Sequence, residues 1–142
     1  MDKTTNNTDG GATGLKGKKV VWVEDDKFLS DIISRKLVHA GCNLVYTPDG
    51  SKAVALIKKE LPDVVLLDLL LPGSDGFQIL EEIKKKGAPT EHIPVILLTN
   101  LGQKVDVERG KRLGAARFLI KATISLDEVT TQIKEVLQEN IL

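Results

Sequence analysis

Two unbroken apolar runs, Val64-Val65-Leu66-Leu67 and Val95-Ile96-Leu97-Leu98, constrain this chain more than anything else in its sequence. A strand with one wet face alternates apolar and polar residues, whereas a run without alternation reads as a strand covered on both faces. Similar apolar runs at 20–23, 44–46 and 118–120 bring the strand count to five. Between the runs, residues recur at helical spacing. Phe28, Leu29, Ile32, Ile33 and Leu37 share one face, with Gly41 as a stop. Asp49 can cap a helix carrying Ala53, Val54, Ile57 and Leu61, which Pro62 ends. Phe77, Leu80 and Ile83 form a third stripe, ending near Gly87. Leu126, Val129, Ile133, Val136 and Leu137 form the clearest one, opened by Ser125-Leu126-Asp127-Glu128 at capping-box spacing. From 103 to 113 the stripe is ragged (Val105, Val107, Leu113), so this helix is expected to be the most mobile.

Strand and helix thus alternate five times with short connections. That pattern predicts an α/β fold, a doubly wound five-stranded parallel sheet joined by right-handed crossovers. A chain of 142 residues has room for one such domain and can bury a sizeable core without staples. Residues 1–17 are polar and rich in Gly, Thr and Asn, and read as a disordered tail; the domain is expected over 18–142. Twenty basic and twenty acidic residues cancel, which argues against a general nucleic-acid binder or a protein held on an anionic membrane. No stretch reaches the ~18 apolar residues of a membrane span. Cys42, the single cysteine, suits a reducing compartment, and a cytoplasmic location is expected.

In parallel sheets of this kind ligands bind beyond the carboxyl ends of the strands, where the strand order reverses. There the first strand ends in Glu24-Asp25-Asp26 and the third in Asp68. Carboxylates converging at one edge repel one another unless a cation offsets them. An oxygen-only ligand set with so few carboxylates suits a hard ion that keeps several waters, Mg²⁺ rather than Ca²⁺. Asp25 or Asp26 can instead simply cap the first helix, but Asp68 follows an apolar run and precedes three leucines, and a carboxylate so placed needs a specific partner. The fourth strand ends in Thr99 and the fifth in Lys121, adding a hydroxyl and a cation around one acceptor position. The set suits a tetrahedral anion held against a metal.

With these residues the sequence resembles the receiver domain of two-component response regulators. The matching pieces are Val-Glu24-Asp25-Asp, Asp68-Leu-Leu-Leu-Pro72-Gly-Ser-Asp75-Gly76, Leu-Leu-Thr99 and Phe118-Leu-Ile-Lys121, in the family's order and spacing over about residues 18–140. The resemblance implies a flavodoxin-like (βα)5 sheet with strand order 2-1-3-4-5. It implies phosphorylation of Asp68 by a histidine kinase or histidine phosphotransfer protein. It also implies Mg²⁺ bound by Asp25, Asp68 and the backbone carbonyl of Leu70, with Glu24 reaching it through water. Thr99 and Lys121 would contact the phosphoryl oxygens. Thr99 and Phe118 would act as the switch, and the fourth helix and fifth strand would change their surface. Phe118 as an ordinary core aromatic stays equally open. Such a protein is not an enzyme beyond accepting and losing its own phosphoryl group.

The sequence departs from the family at two places. Ala122 stands where most receivers have proline after the lysine, so a looser hold on Lys121 is expected. Asn100 stands where the residue is often small; with Leu70 and Leu101 it lies where the family tunes water access, and a drier entrance would slow hydrolysis. His39 and His92 are assigned no role, and Trp22 and Cys42 read as core. With the chain ending at Leu142, output is expected through an unknown protein target on the face of the fourth helix, fifth strand and fifth helix, around Lys104, Lys111, Arg112, Phe118 and Thr123. Dimerisation on phosphorylation is left open. Two other readings compete: a receiver-like scaffold that no longer uses phosphate, and an aspartyl-phosphate hydrolase of the haloacid-dehalogenase type. The latter needs a second acid two residues after Asp68, where Leu70 stands.

Overall fold

A computed structural model describes residues 14–141. Five parallel strands, β1 (Lys19–Val23), β2 (Asn43–Thr47), β3 (Val64–Leu67), β4 (Val95–Thr99) and β5 (Arg117–Ile120), form one sheet in the order β2-β1-β3-β4-β5. The helices are α1 (Lys27–His39), α2 (Ala53–Glu60), α3 (Gly76–Ile83), α4 (Lys104–Arg112) and α5 (Leu126–Ile141). The expected fold class and strand order are therefore present.

The unbroken runs have the predicted cause. In β3, Val64 and Leu66 pack with α1 and α5, while Val65 and Leu67 pack with α2 and α3. In β4, Ile96 and Leu98 take the first side and Val95 and Leu97 the second. Every residue of β3 and β4 is buried, because each pleat direction points into a core. Trp22 and Cys42 lie in the α1–α5 core, as expected.

Local signals set the helix ends. Asp26 caps α1 by accepting the Leu29 N–H, and Asp75 caps α3 by accepting the Phe77 N–H. Asp49 caps a short 3₁₀ turn, Gly50–Lys52, that leads into α2. Ser125 Oγ accepts the Glu128 N–H at the start of α5, half of the expected capping box. Among the described residues, no helix is long and apolar enough to cross a membrane.

Of the expected tail, the described residues 14–17 pack against the domain. Leu15 is 1% exposed and packs in the α1–α5 core. The turn around it is fixed by hydrogen bonds from Gly17 N–H to the Gly41 carbonyl and from Lys18 N–H to the Leu15 carbonyl. One leucine among polar neighbours has no periodicity to reveal it, so this correction needed the tertiary contact. Residues 1–13 of the expected tail lie outside the described residues.

Candidate functional site

Asp68 directly follows β3, the middle strand of the sheet, and its N–H donates to the Val23 carbonyl of β1. It is 3% exposed. Its two carboxylate oxygens are engaged separately: Oδ1 accepts the Leu70 N–H at 3.0 Å, and Oδ2 accepts from Lys121 Nζ at 2.6 Å. The same ammonium lies 2.6 Å from Glu24 Oε1.

Glu24 is fully buried at the end of β1. Its Oε2 accepts the Asp26 N–H, while Oε1 faces the Lys121 ammonium. Burial is the largest influence on this carboxyl and lifts it above the usual carboxylate range, against the opposing pull of Lys121 and the Asp26 N–H. For Lys121, burial alone would lower the ammonium; hydrogen bonding to Asp68 and Glu24 outweighs it and raises the group.

Glu24, Asp25 and Asp68 present oxygen atoms within 4.8 Å of one another. Because Asp26 takes the cap of α1, Asp25 is left exposed at the rim of this cluster. Three clustered carboxylates offering oxygen donors alone fit a hard divalent cation.

Of the remaining expected residues, Leu70 and Leu101 border this cluster. Thr99 is buried at the end of β4, beside Ile120 of β5, and its hydroxyl oxygen accepts the Leu101 N–H at 3.2 Å. Leu70 is about half exposed and, with Leu101 and Asp25, lines an open apolar depression next to the carboxylates. Asn100 is exposed, and its Oδ1 accepts the Ala122 N–H at 3.0 Å. Phe118 is half-buried against the α2–α3 core, and its ring lies against Gly110 of α4.

One supporting residue, Tyr46, escaped the sequence reading, and a second, Gly76, was read there only as part of the motif that opens a helix. The Tyr46 hydroxyl donates to the Glu24 carbonyl and ties the acidic loop to β2. Tyr46 reads only as a strand residue, and nothing in the sequence signals that contact. Gly76 lies against the loop that carries Asp68: a Cβ there would stand 2.4 Å from the Leu69 Cα and 2.9 Å from the Asp68 carbonyl oxygen. Only glycine permits that approach. Its signal is present in the sequence, as a glycine at the first position of a helix.

A doubly wound sheet whose switch point carries two buried acids, a third at the rim and a lysine defines a class of anion-handling signalling and transfer domains. The chain matches the response regulator receiver domain over residues 20–134, and it belongs to that family. Solved structures agree. The beryllofluoride-activated N-terminal receiver domain of Klebsiella pneumoniae RstA is 29% identical, with a TM-score of 0.75, covering 84% of this chain and 97% of that one. The Mn²⁺-bound form of response regulator Rcp1 is also 29% identical, with a TM-score of 0.71, covering 84% and 91%. A CheY-like receiver from Methanospirillum hungatei shares the fold at 22% identity, with a TM-score of 0.80 over 88% and 97% of the two chains. Members of this family are signalling modules that take a phosphoryl group on an aspartate.

Proposed function

We propose that Asp68 is the phosphoacceptor of a response regulator in a two-component or phosphorelay system, supplied in the cytoplasm by a histidine kinase or histidine phosphotransfer protein. The observation that carries this reading is the Lys121 ammonium held 2.6 Å from Asp68 Oδ2 and 2.6 Å from Glu24 Oε1 beside a third carboxylate. In the transfer, an Asp68 oxygen forms a bond to phosphorus as the donor's P–N bond breaks and the imidazole nitrogen leaves with the electron pair.

Asp25, Asp68, Glu24 and the Leu70 carbonyl are the groups that would hold Mg²⁺. The ion, when bound, screens the anionic nucleophile from the anionic donor. A similar receiver is known in a Mn²⁺-bound form. Lys121 balances the charge gained at Asp68, and Thr99 leaves the Leu101 N–H to donate its hydroxyl proton to the phosphoryl oxygens. Leu70 and Leu101, flanking the entrance, set how easily water reaches the acyl phosphate. Phe118 follows Thr99, and the face of α4, β5 and α5 passes the change to a protein partner.

Intact-mass spectrometry after incubation with Mg²⁺ and a small-molecule phosphodonor tests the reading. One phosphoryl group on the wild type, lost in Asp68→Ala and without Mg²⁺, is the expected result. An adduct that persists in Asp68→Ala would overturn the acceptor. No adduct and no Mg²⁺ binding would favour a phosphate-independent scaffold.

A further inference from the structure

We infer that Asn100 is a positioning residue for Lys121, acting through the backbone of Ala122. The inference rests on the phosphoacceptor reading of the site and adds a part to it. Lys121 opens a 3₁₀ turn, Lys121–Thr123, immediately after β5. The first N–H groups of such a turn have no partner within it and need one from outside. The Ala122 N–H finds Asn100 Oδ1 at 3.0 Å, across 22 residues of sequence. Because a backbone N–H only donates, the atom facing it is the amide oxygen, which fixes the orientation of the Asn100 side chain.

The consequence lies in what the two ends adjoin. Asn100 directly follows Thr99, and Ala122 directly follows Lys121. One side chain therefore ties the loop carrying the hydroxyl to the loop carrying the ammonium. The Lys121 ammonium must reach Asp68 Oδ2 and Glu24 Oε1 together, so the backbone from which it extends has to be held in place. Where most receivers have proline after this lysine, Ala122 offers a donor instead, and Asn100 uses it. The two departures from the family pattern are one device. Asn100 is exposed, and its contact is a hydrogen bond through one atom, so its contribution depends on an acceptor oxygen and not on bulk.

That distinction sets the experiment. Phosphoryl uptake from a small-molecule phosphodonor with Mg²⁺ is followed over a series of donor concentrations for wild type, Asn100→Ala, Asn100→Leu and Asn100→Asp, alongside amide exchange at Ala122. Leucine keeps the branched, four-heavy-atom shape of asparagine, is bulkier, and has no acceptor. Ala and Leu variants are expected to behave alike, lowering the maximal uptake rate about three- to tenfold, the scale of one lost hydrogen bond. Ala122 exchange should quicken about tenfold in both. The Asp variant keeps the acceptor and should recover most of the maximal rate, with its added charge appearing in the donor concentration at half-saturation. A Leu variant at the wild-type rate would overturn the proposal in favour of simple obstruction, and unchanged Ala122 exchange would overturn it outright. If the wild type itself takes no phosphoryl group, the phosphoacceptor reading fails first and this proposal falls with it.

Discussion

Helices α4 and α5 flank the same half of the sheet and are held in opposite ways. α5 buries Val129, Ile133, Val136 and Leu137, and Arg117 of β5 reaches it through Gln132 and Glu139. In α4 the buried residue is Gly110, and Val105 is 63% exposed. A cation–π contact, Arg109 with its guanidinium 4.3 Å from the centre of the Phe77 ring, ties α4 to α3. Each fully buried aliphatic of α5 contributes about 1.5–3 kcal/mol of apolar burial, whereas Gly110 has no side chain to bury. One helix is anchored and its counterpart is merely fitted. Local opening is least costly where apolar burial is smallest, which here is α4.

The largest test of this contrast is Ile133→Ala. Removing a fully buried side chain from the anchored helix should cost about 2–5 kcal/mol, a large share of a single domain's total, as read by urea unfolding. A loss below about 1 kcal/mol would show that α5 is no better held than α4.

Gly110→Ala probes the fitted helix at its contact point. The added Cβ would lie 2.9 Å from Leu97 Cδ1 and 2.9 Å from Phe118 Cδ2. Better helix propensity, about 1 kcal/mol, opposes an overpacking cost of about 1–3 kcal/mol. The net change should be a loss of about 1 kcal/mol, accompanied by displaced Phe118 ring resonances in the NMR spectrum. Unmoved resonances would mean the ring does not rest on α4. The smallest effect belongs to Val105→Ala, expected within about 0.5 kcal/mol of wild type by the same unfolding assay. A larger loss would reveal packing on α4 that its exposure denies.

The same contrast explains what could be read in advance. The central strands were legible because burial on both faces leaves a pattern in the residues themselves. Asp68, Thr99 and Lys121 were legible because each polar residue closes an apolar run, and the sheet brings run-ends together. α4 looked ragged for a physical reason: its innermost position is a glycine, which a hydrophobic stripe cannot register. Leu15, Tyr46 and the Asn100 to Ala122 hydrogen bond had no sequence signature, since each depends on a single contact between distant segments. The Asp25–Asp26 ambiguity was of another kind. Either could cap α1, and only the hydrogen bond from Leu29 decides which remains free.

The anchoring of Asp68 has one more consequence. Its strand is bonded to β1 on one side and β4 on the other, its own N–H is spent on Val23, and Gly76 presses against the loop that follows. The acidic side is braced as well, through Asp26 and Tyr46. On the proposed function, a charge added to Asp68 would fall on a residue held from three sides and beside a braced acidic loop. Thr99 and Lys121 close the other side of the site, at the ends of β4 and β5. On the proposed function, the response to phosphorylation would therefore be borne by the β4–β5 side of the site, which is the less braced of the two.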